Sequence, residues 1–312
     1  MAYFKNILET IGNTPLVELS KLSPKPGVHI FAKLEGENPT GSLKDRIVKY
    51  MVEAAEADGR LTRDKILLEP TSGNTGISLA MVAKVKGYRV RVVMPENVSQ
   101  ERSQILRSYG ADIIFTDGKR GTNGSIEVAQ ELARNDDTYC MLYQYGNPAN
   151  PQAHFETTGV EILRDLPQVD QYIAGLGTGG SLMGVGRRLK LHNPNTKVVA
   201  VVPSPDDAIM GLRSLEDGFI PPILDLNLLD GRIMIDSKDA FRGTRELMER
   251  EGIFAGVSSG AVVAGAQRLA RRMDSGNIVC LLADGGWKYL STQLWTKDLH
   301  QIERDMEGKI WW

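Results

Sequence analysis

The sequence predicts an α/β protein made of two doubly wound, mainly parallel-sheet domains with the functional site in the crevice between them. Apolar runs of strand length alternate with amphipathic helical patterns along the 312 residues. This alternation is typical of parallel sheets covered by helices on both faces. Asn and Pro cluster in "GNPANPQAHF", 146–155, between two such series, which favours a boundary there. Ligands of doubly wound sheets bind beyond the carboxyl ends of the strands, at the expected crevice.

The first series opens with a helix at "IVKYMVEAAEADG", where Ile47, Met51 and Ala55 share one face and Gly59 is the stop signal. Strand–helix pairs follow it. They are "KILLEP" with "GISLAMVAKVKG", "YRVRVVMP" with "SQERSQILRSYG", and "ADIIFTD" with "SIEVAQELARND".

The second series has the same character. The strand "QYIAGLG" precedes the helix "SLMGVGRRLK", and the strand "KVVAVVP" comes next. The strand "GRIMID" precedes the helix "SKDAFRGTRELMEREG", and the helix "GAVVAGAQRLARRM" leads into a last strand, "NIVCLLAD". We find no internal repeat and no low-complexity segment.

Composition narrows the class of protein. The 37 basic and 39 acidic residues give a formal net charge of −2, which provides no general attraction to nucleic acid or to a membrane surface. Cys140 and Cys280 lie in separate apolar runs, and this predicts a reducing compartment rather than a disulfide framework. No apolar run approaches the length of a membrane-spanning helix. We therefore expect a cytoplasmic protein without nucleic-acid or membrane partners, and we predict no metal site.

The loop "LGTGGSLMG", 176–184, follows a strand and opens a helix. Its glycines allow a ligand to approach the backbone, and the amides of the next helix point at that ligand, which favours a phosphate over a simple tight turn. The run "GLGTGG" also matches a dinucleotide-binding motif, but the next strand ends at Pro203 and not at an acidic residue. No lysine follows the glycines as it would in a P-loop. A compact ligand with one phosphate fits better.

A second loop, "EPTSGNTGIS", 69–78, places several hydroxyls and Asn74 between a strand and a helix. Helix capping would use one hydroxyl, and the others predict a carboxylate site together with the helix amides. Lys44 follows the turn "NPTGS" at a helix N-terminus, where a positive charge is unfavourable. A partly desolvated amine near a phosphate site indicates a Schiff base with pyridoxal phosphate rather than a surface lysine.

Six motifs of this chain occur in the order found in cysteine synthases: "IGNTPLV", "NPTGSLKDR", "PTSGNTG", "YQYGNPANPQAH", "GLGTGGS" and "AGVSSGAV". The chain closely resembles cysteine synthases of the B type, which are fold-type II, tryptophan synthase β-like pyridoxal phosphate enzymes. The resemblance implies that Lys44 is the catalytic residue, carries pyridoxal 5'-phosphate as a Schiff base and acts as the general base.

The resemblance also assigns the binding residues. Asn74 would hydrogen-bond the ring hydroxyl of the cofactor, and Ser258 would face its pyridine nitrogen. The phosphate would be bound by the glycine-rich loop, that is by Gly177, Thr178, Gly179, Gly180 and Ser181. The substrate carboxylate would be bound by Ser72, Thr75 and Gln144, with Thr71 and Gly73 shaping the loop.

We expect residues 39–145 to form a smaller, mobile domain that carries the substrate loop, and residues 1–38 and 146–300 to form a larger domain that anchors the cofactor. The active site would lie in the crevice between them. Residues 301–312 are a C-terminal tail that ends in two tryptophans. Such rings favour burial, so the tail either packs against the body or the partner subunit, or folds over the active site as a lid.

The implied activity is β-replacement on an activated serine to give L-cysteine. Arg213, in "GLRSLEDGFIP", resembles the branch that accepts O-phosphoserine, where this arginine binds the substrate phosphate. O-Acetylserine remains an alternative substrate, and a surface Arg213 paired with Glu216 or Asp217 remains an alternative structure. The same branch implies a small sulfur-carrier protein as the sulfur donor, with sulfide as the other choice. The family implies a homodimer.

Other functions remain open on the sequence. A serine or threonine dehydratase, or a cystathionine β-synthase-like lyase, would use the same loops for a related reaction. A protein that binds a phosphate-bearing ligand without catalysis would need the phosphate loop alone.

Overall fold

A computed structural model describes residues 3–71, 73–205, 207–216, 218–298 and 301–302. Strands and helices alternate through most of the chain. The strands are β1 (Leu16–Glu18), β2 (Val28–Leu34), β3 (Ile66–Pro70), β4 (Arg89–Pro95), β5 (Asp112–Thr116), β6 (Tyr139–Met141), β7 (Gln171–Gly175), β8 (Lys197–Pro203), β9 (Gly231–Ile235) and β10 (Gly276–Leu282).

The α-helices connect these strands. They are α1 (Lys44–Ala57), α2 (Asn74–Lys86), α3 (Gln100–Ser108), α4 (Gly121–Asn135), α5 (Ala149–Ala153), α6 (Gly159–Asp165), α7 (Gly180–His192), α8 (Ser237–Glu251) and α9 (Val257–Ala270). A π-helical turn, His154–Thr158, joins α5 to α6, so the predicted boundary region 146–155 is largely helical.

The strands form two sheets within the described residues. The larger sheet has the order β1-β2-β10-β7-β8-β9, and the smaller has the order β5-β4-β3-β6. All neighbours are parallel except β1, which pairs with β2 in the antiparallel direction. The smaller sheet uses a continuous part of the chain, and the larger sheet uses the parts before and after it. The predicted α/β class with two mainly parallel sheets is confirmed.

Successive side chains of each strand point to opposite faces of the larger sheet, and both faces are buried. On β10, Ile278 and Leu282 join one apolar core with α8 and α9, while Val279 and Leu281 join another on the α7 side. A further core lies between α1, α2 and the smaller sheet. Both faces of a parallel sheet must be covered, which is why the strand sequences are almost continuously apolar.

The sequence-based strands and helices named above are all present, and Gly59 takes a positive φ of 78° just after α1. The sequence did not predict β1, β2, β6 or the α5–α6 helix. The domain limits at 38/39, 145/146 and 300/301 remain predictions. In the part of the chain that the structure describes, no helix is long and apolar enough to cross a membrane.

Candidate active site

Lys44 is the first residue of α1, and the next two residues, Asp45 and Arg46, hold the start of the helix in place. The Asp45 carboxylate accepts the backbone N–H of Thr40 at 2.7 Å and the Ser78 hydroxyl at 2.5 Å, and it also contacts the Thr40 hydroxyl. Asp45 is fully buried. These bonds tie the turn before Lys44 to α2, so the lysine backbone is fixed from both sides.

Arg46 ties the same helix start to the larger sheet. Its guanidinium forms paired contacts with Glu35, at 2.7 and 2.9 Å, and with Glu161, at 2.7 and 2.8 Å. Lys33 contacts the Glu161 carboxylate at 2.7 Å. All of these side chains are buried, and we refer to Lys33, Glu35, Arg46 and Glu161 as the buried ion cluster. Pairing of this kind offsets much of the cost of burying charges.

The Lys44 side chain is half-buried and lines a cavity of about 290 Å³. Burial lowers the pKa of its amine to about 8, and the charge of Lys288 lowers it further, whereas Asp284 opposes the shift. A lysine with a lowered pKa has a larger unprotonated fraction near neutral pH. The amine is therefore suited to act as a nucleophile or a base.

The glycine-rich loop after β7 opens helix α7. Gly179 has a φ of 86°, which favours glycine, and it precedes the first helical residue, Gly180. A Cβ on Gly180 would lie 1.8 Å from Oδ1 of Asn150, so no side chain fits there. The Thr178 hydroxyl accepts from the backbone N–H of Gly180 at 3.2 Å and from Asn150 at 3.0 Å. The loop is a fixed cradle at a helix N-terminus, which suits an anion.

The second loop lies between β3 and α2. The Thr75 hydroxyl donates to Oε1 of Gln144 at 2.8 Å, and both side chains are buried at the cavity. Gln144 is held by Glu69, whose carboxylate accepts the backbone N–H groups of Tyr143 and Gln144 at 2.8 and 3.0 Å. Burial raises the pKa of Glu69 to about 8, against the effect of those two bonds. Glu69 therefore fixes the position of Gln144 from behind.

Arg213 is buried to 8% exposure and lines the same cavity. Nη1 donates to Oδ1 of Asn123 at 2.8 Å, and the guanidinium lies over the rings of Tyr145 and Phe219. Within the described residues it makes no ion pair with Glu216, and Asp217 lies outside them. Because Arg213 is buried, the alternative of a surface Arg213 is wrong with respect to its exposure, whereas a pairing with Asp217 stays a prediction.

The structure brings most of the predicted residues to one place. The large cavity is lined by Lys44, Thr71, Asn74, Thr75, Gln144, Gly177, Thr178, Arg213 and Ser258. A small adjoining cavity shares Lys44 and Ser258 and is also lined by Gly179 and Ser181. Gly73 and Gly180 lie in the same loops without lining either cavity, and Gly73 has a φ of 151° where Arg102 packs against it. Ser72 and the tail residues 303–312 lie outside the described residues.

Sequence reasoning missed several residues that line this cavity or support it. Asp284 and Tyr289 line it, and Lys288 lies directly behind Asn74. Lys119, Arg120 and Asn123 also line it, just before α4 and in its first turn. The segment "DGKRGTNGS" has glycines and cations between a strand and a helix, which is a signal of the same kind as the two loops that were predicted.

Comparison with known proteins identifies the family. Residues 7–284 match the family model described as pyridoxal-phosphate dependent enzyme. The chain belongs to the pyridoxal-phosphate dependent enzymes. A cysteine synthase of Aquifex aeolicus is 43% identical over 94% of this chain and 92% of its own length. A cysteine synthase B of Salmonella typhimurium is 43% identical over 92% of this chain and 95% of its own length.

Solved structures agree with this family membership. An O-ureido-L-serine synthase has a TM-score of 0.88 and 39% identity, over 94% of this chain and 95% of its own. A cysteine synthase of Entamoeba histolytica has a TM-score of 0.88 and 37% identity, over 99% of this chain and 96% of its own.

The cofactor of this family is pyridoxal phosphate, and the residues present fit it. The cradle at Gly179 and Gly180 excludes side chains and presents helix amides to an anion. Lys44 supplies an amine of lowered pKa beside that cradle. In the described ranges, no group of three or more His, Cys, Asp or Glu residues is arranged to hold a metal ion.

Proposed function

We propose that this pyridoxal-phosphate dependent enzyme is a cysteine synthase, which replaces the β-substituent of an activated L-serine by sulfur to give L-cysteine. The observation that carries the proposal is the meeting of three features at one cavity. They are the amine of Lys44, the anion cradle at the start of α7, and the Thr75–Gln144 pair at the start of α2. The curated relatives named above are cysteine synthases of nearly the same length.

Lys44 and the cofactor have separate roles in the proposed reaction. Bound pyridoxal phosphate supplies an electron sink that stabilises negative charge at the substrate Cα. Lys44 would hold the cofactor through its amine. Nζ of Lys44, once free, would take the proton from the substrate Cα and would later return a proton to Cα. A pKa near 8 suits both roles at neutral pH, because neither protonation state is strongly disfavoured.

The carboxylate of the substrate would bind at the second loop. Thr71, Thr75 and Gln144 converge there, and the N-terminus of α2 adds backbone amides that favour a negative charge. Glu69 keeps Gln144 in position through the two backbone bonds described above. This arrangement holds the substrate by its carboxylate while its amine reaches the cofactor.

We propose O-phosphoserine as the preferred substrate, with O-acetylserine as the weaker one. Arg213 and Asn123 form one edge of the cavity, and Lys119 and Arg120 continue it at the start of α4. This edge carries cations and a helix N-terminus, which favour a dianionic leaving group. An acetyl group brings no charge that could use these contacts.

The test of this preference compares Arg213→Met with Arg63→Met. Arg63 lies over the ring of Tyr88, away from the cavity, so its variant loses an equivalent charge and ring contact. Loss of a charge-assisted phosphate contact should reduce kcat/KM for O-phosphoserine at least tenfold. The value for O-acetylserine should change much less. Equal losses on both substrates would show that Arg213 only supports the structure.

A second measurement separates β-replacement from elimination. The protein is given O-phosphoserine with and without sulfide, and cysteine and pyruvate are both quantified. A cysteine synthase makes cysteine in proportion to the sulfide supplied. Pyruvate without cysteine under both conditions would favour a dehydratase, and neither product from O-phosphoserine or from O-acetylserine would favour a binding protein.

We also propose that the enzyme acts as a homodimer and takes sulfur from either sulfide or a small carrier protein with a C-terminal thiocarboxylate. Support for an assembly comes from the exposed Tyr3, Phe4 and Ile7 near the N-terminus, since apolar side chains grouped on a surface favour association. Analytical ultracentrifugation tests the dimer. A cysteine assay with sulfide or a purified thiocarboxylate carrier tests the donor.

A further inference from the structure

Asn74 lies at the centre of a buried polar chain that the sequence did not predict. Nζ of Lys288 donates to Oδ1 of Asn74 at 2.9 Å and to the carbonyl oxygen of Gly41 at 3.1 Å. On the other side, Nδ2 of Asn74 donates to Oδ2 of Asp284 at 2.7 Å. The Tyr289 hydroxyl donates to the same carboxylate oxygen at 2.6 Å. An ammonium and a carboxylate thus hold the two ends of one amide.

Both charged groups are buried. Lys288 is 0% exposed and Asp284 is 2% exposed. The hydrogen-bond partners of Lys288 among the described residues are two neutral oxygens, so its charge is incompletely compensated by direct contacts. Oδ1 of Asp284 has no hydrogen-bond partner in the described part of the chain. Buried charges with such incomplete pairing reduce stability, which points to a role other than holding the fold together.

The two charges determine the orientation of the Asn74 amide. The oxygen of the amide must face the ammonium, and its nitrogen must face the carboxylate. In the reversed orientation, two donors would meet at Lys288 and two acceptors would meet at Asp284. An asparagine amide has two N–H groups, and Asp284 takes one. The other remains for a ligand, and Asn74 lines the cavity together with Lys44.

We propose that Lys288 and Asp284 are positioning residues, which orient Asn74 to donate its remaining N–H to the ring hydroxyl of pyridoxal phosphate and which set the electrostatic environment of Lys44 through their opposite charges. This inference rests on the proposed function, because it requires the cofactor in this cavity. Neither residue touches the substrate in this scheme. Both act through Asn74 or through their charge.

The electrostatic part follows from the groups around each lysine. Burial lowers the pKa of Lys288 to about 8, Asp284 and Asp45 oppose this shift, and Arg102 adds to it. Burial likewise lowers the pKa of Lys44 to about 8, with Asp284 opposing and Lys288 adding. The charges of Lys288 and Asp284 therefore act on Lys44 in opposite directions. Removing the charge of Lys288 and removing the charge of Asp284 should therefore shift the pKa of the Lys44 amine in opposite directions.

The experiment uses the full-length protein and the variants Lys288→Met and Asp284→Asn. The control is Lys84→Met, which removes an exposed lysine from the last turn of the same helix, α2. Competitive acetylation of the cofactor-free protein across a pH series, read by mass spectrometry, gives the pKa of Lys44. Fluorescence titration gives the dissociation constant for pyridoxal phosphate. Thermal unfolding reports on the fold.

We expect the pKa of Lys44 to rise in Lys288→Met and to fall in Asp284→Asn. The dissociation constant for pyridoxal phosphate should rise roughly tenfold in both, because Asn74 loses its fixed orientation and one charge-assisted bond. Lys84→Met should change neither quantity. The opposite signs distinguish positioning from general damage, which would affect both variants alike.

Shifts of the Lys44 pKa in the same direction, or no shift in either variant, would overturn the inference. So would a lowered thermal midpoint with unchanged cofactor affinity, which is the result for a structural lysine. Asp284→Asn is isosteric and tests the inference even if Lys288→Met does not fold. If the unaltered protein binds pyridoxal phosphate and the variants bind it equally well, the inference fails and the proposed function stands. If the unaltered protein binds none, the proposed function fails first.

Discussion

The buried ion cluster makes a quantitative prediction about the substitution Arg46→Met. Methionine keeps most of the apolar stem of arginine and removes the guanidinium. Glu35 would keep its bonds from Thr14 and Asn38, at 2.7 and 3.0 Å, but it would lose its countercharge. Removing one partner of a buried ion pair leaves an uncompensated charge, which typically costs about 3–5 kcal/mol. We expect the free energy of unfolding at pH 7 to fall by about this amount.

The pKa of Glu161 reflects the same interaction. Burial alone would raise this pKa, but the hydrogen bonds and charge of Arg46, together with Lys33, outweigh burial and hold it at about 2. The ordinary value is 4.5. A carboxyl with a lowered pKa in the folded state stabilises the protein above pH 4.5, and that stability is lost as the pH falls toward 2. The lowered pKa therefore agrees in sign with a stabilising role of Arg46.

The variant should therefore show a distinct pH dependence. Without Arg46, burial would raise the pKa of Glu35, and a carboxyl with a raised pKa destabilises the folded state as the pH rises above 4.5. The difference in stability between Arg46→Met and the unaltered protein should be largest near pH 7 and smaller at pH 4. Urea unfolding followed by circular dichroism at both pH values measures it.

The matched control is Arg60→Met. Arg60 pairs with Asp58 at 2.8 Å, but both side chains are about half exposed, so solvent screens the pair and its loss should have a small effect. If Arg46→Met were no more destabilising than Arg60→Met, or if its effect were the same at both pH values, the assigned role of the cluster would be wrong.

Three further substitutions test the site. Lys44→Ala should abolish turnover and the borohydride-reducible link to the cofactor while the fold is retained, and peptide mapping of the reduced unaltered protein should find the pyridoxyl group on Lys44 and on no other lysine. Thr75→Ala should raise the dissociation constant for the amino-acid substrate roughly tenfold with the cofactor still bound, and loss of the cofactor instead would refute the division between the two loops. Gly180→Ala should abolish cofactor binding because its Cβ meets Asn150, whereas Gly231→Ala, where a Cβ meets no atom within 4 Å, should bind the cofactor normally in the same titration.

The sequence predicted the elements whose signal is local. Most of the predicted strands are nearly continuous apolar runs, and the two predicted loops are rich in glycine and hydroxyl groups, so a short window contains enough information. The strand β2 was missed because "VHIFAKL" includes Lys33, which suggests an exposed position. Lys33 is instead buried against Glu161, a partner far away in sequence that no local pattern indicates.

The same reason explains the residues that were missed at the site. Lys288 lies 214 residues from Asn74 in the sequence, and its surroundings in "GGWKYLST" give no sign that it is buried. Asp284 follows an apolar strand and could have been noticed, because a carboxylate at the carboxyl end of a parallel strand lies near the ligand of such a sheet. Its bond to Asn74 could be seen only in the folded structure.

The order of strands in the larger sheet has a consequence for folding during synthesis. β2 pairs along its whole length with β10, from Val28 with Gly276 to Leu34 with Leu282. At a synthesis rate of about 5–20 residues per second, β2 emerges from the ribosome on the order of 10–50 s before its parallel partner exists. The smaller sheet, whose strands lie within residues 66–141, can form during that interval. The apolar residues of β2 are therefore without their β10 partner for most of the time that the chain is being synthesised. A chaperone that binds extended apolar segments would favour correct assembly.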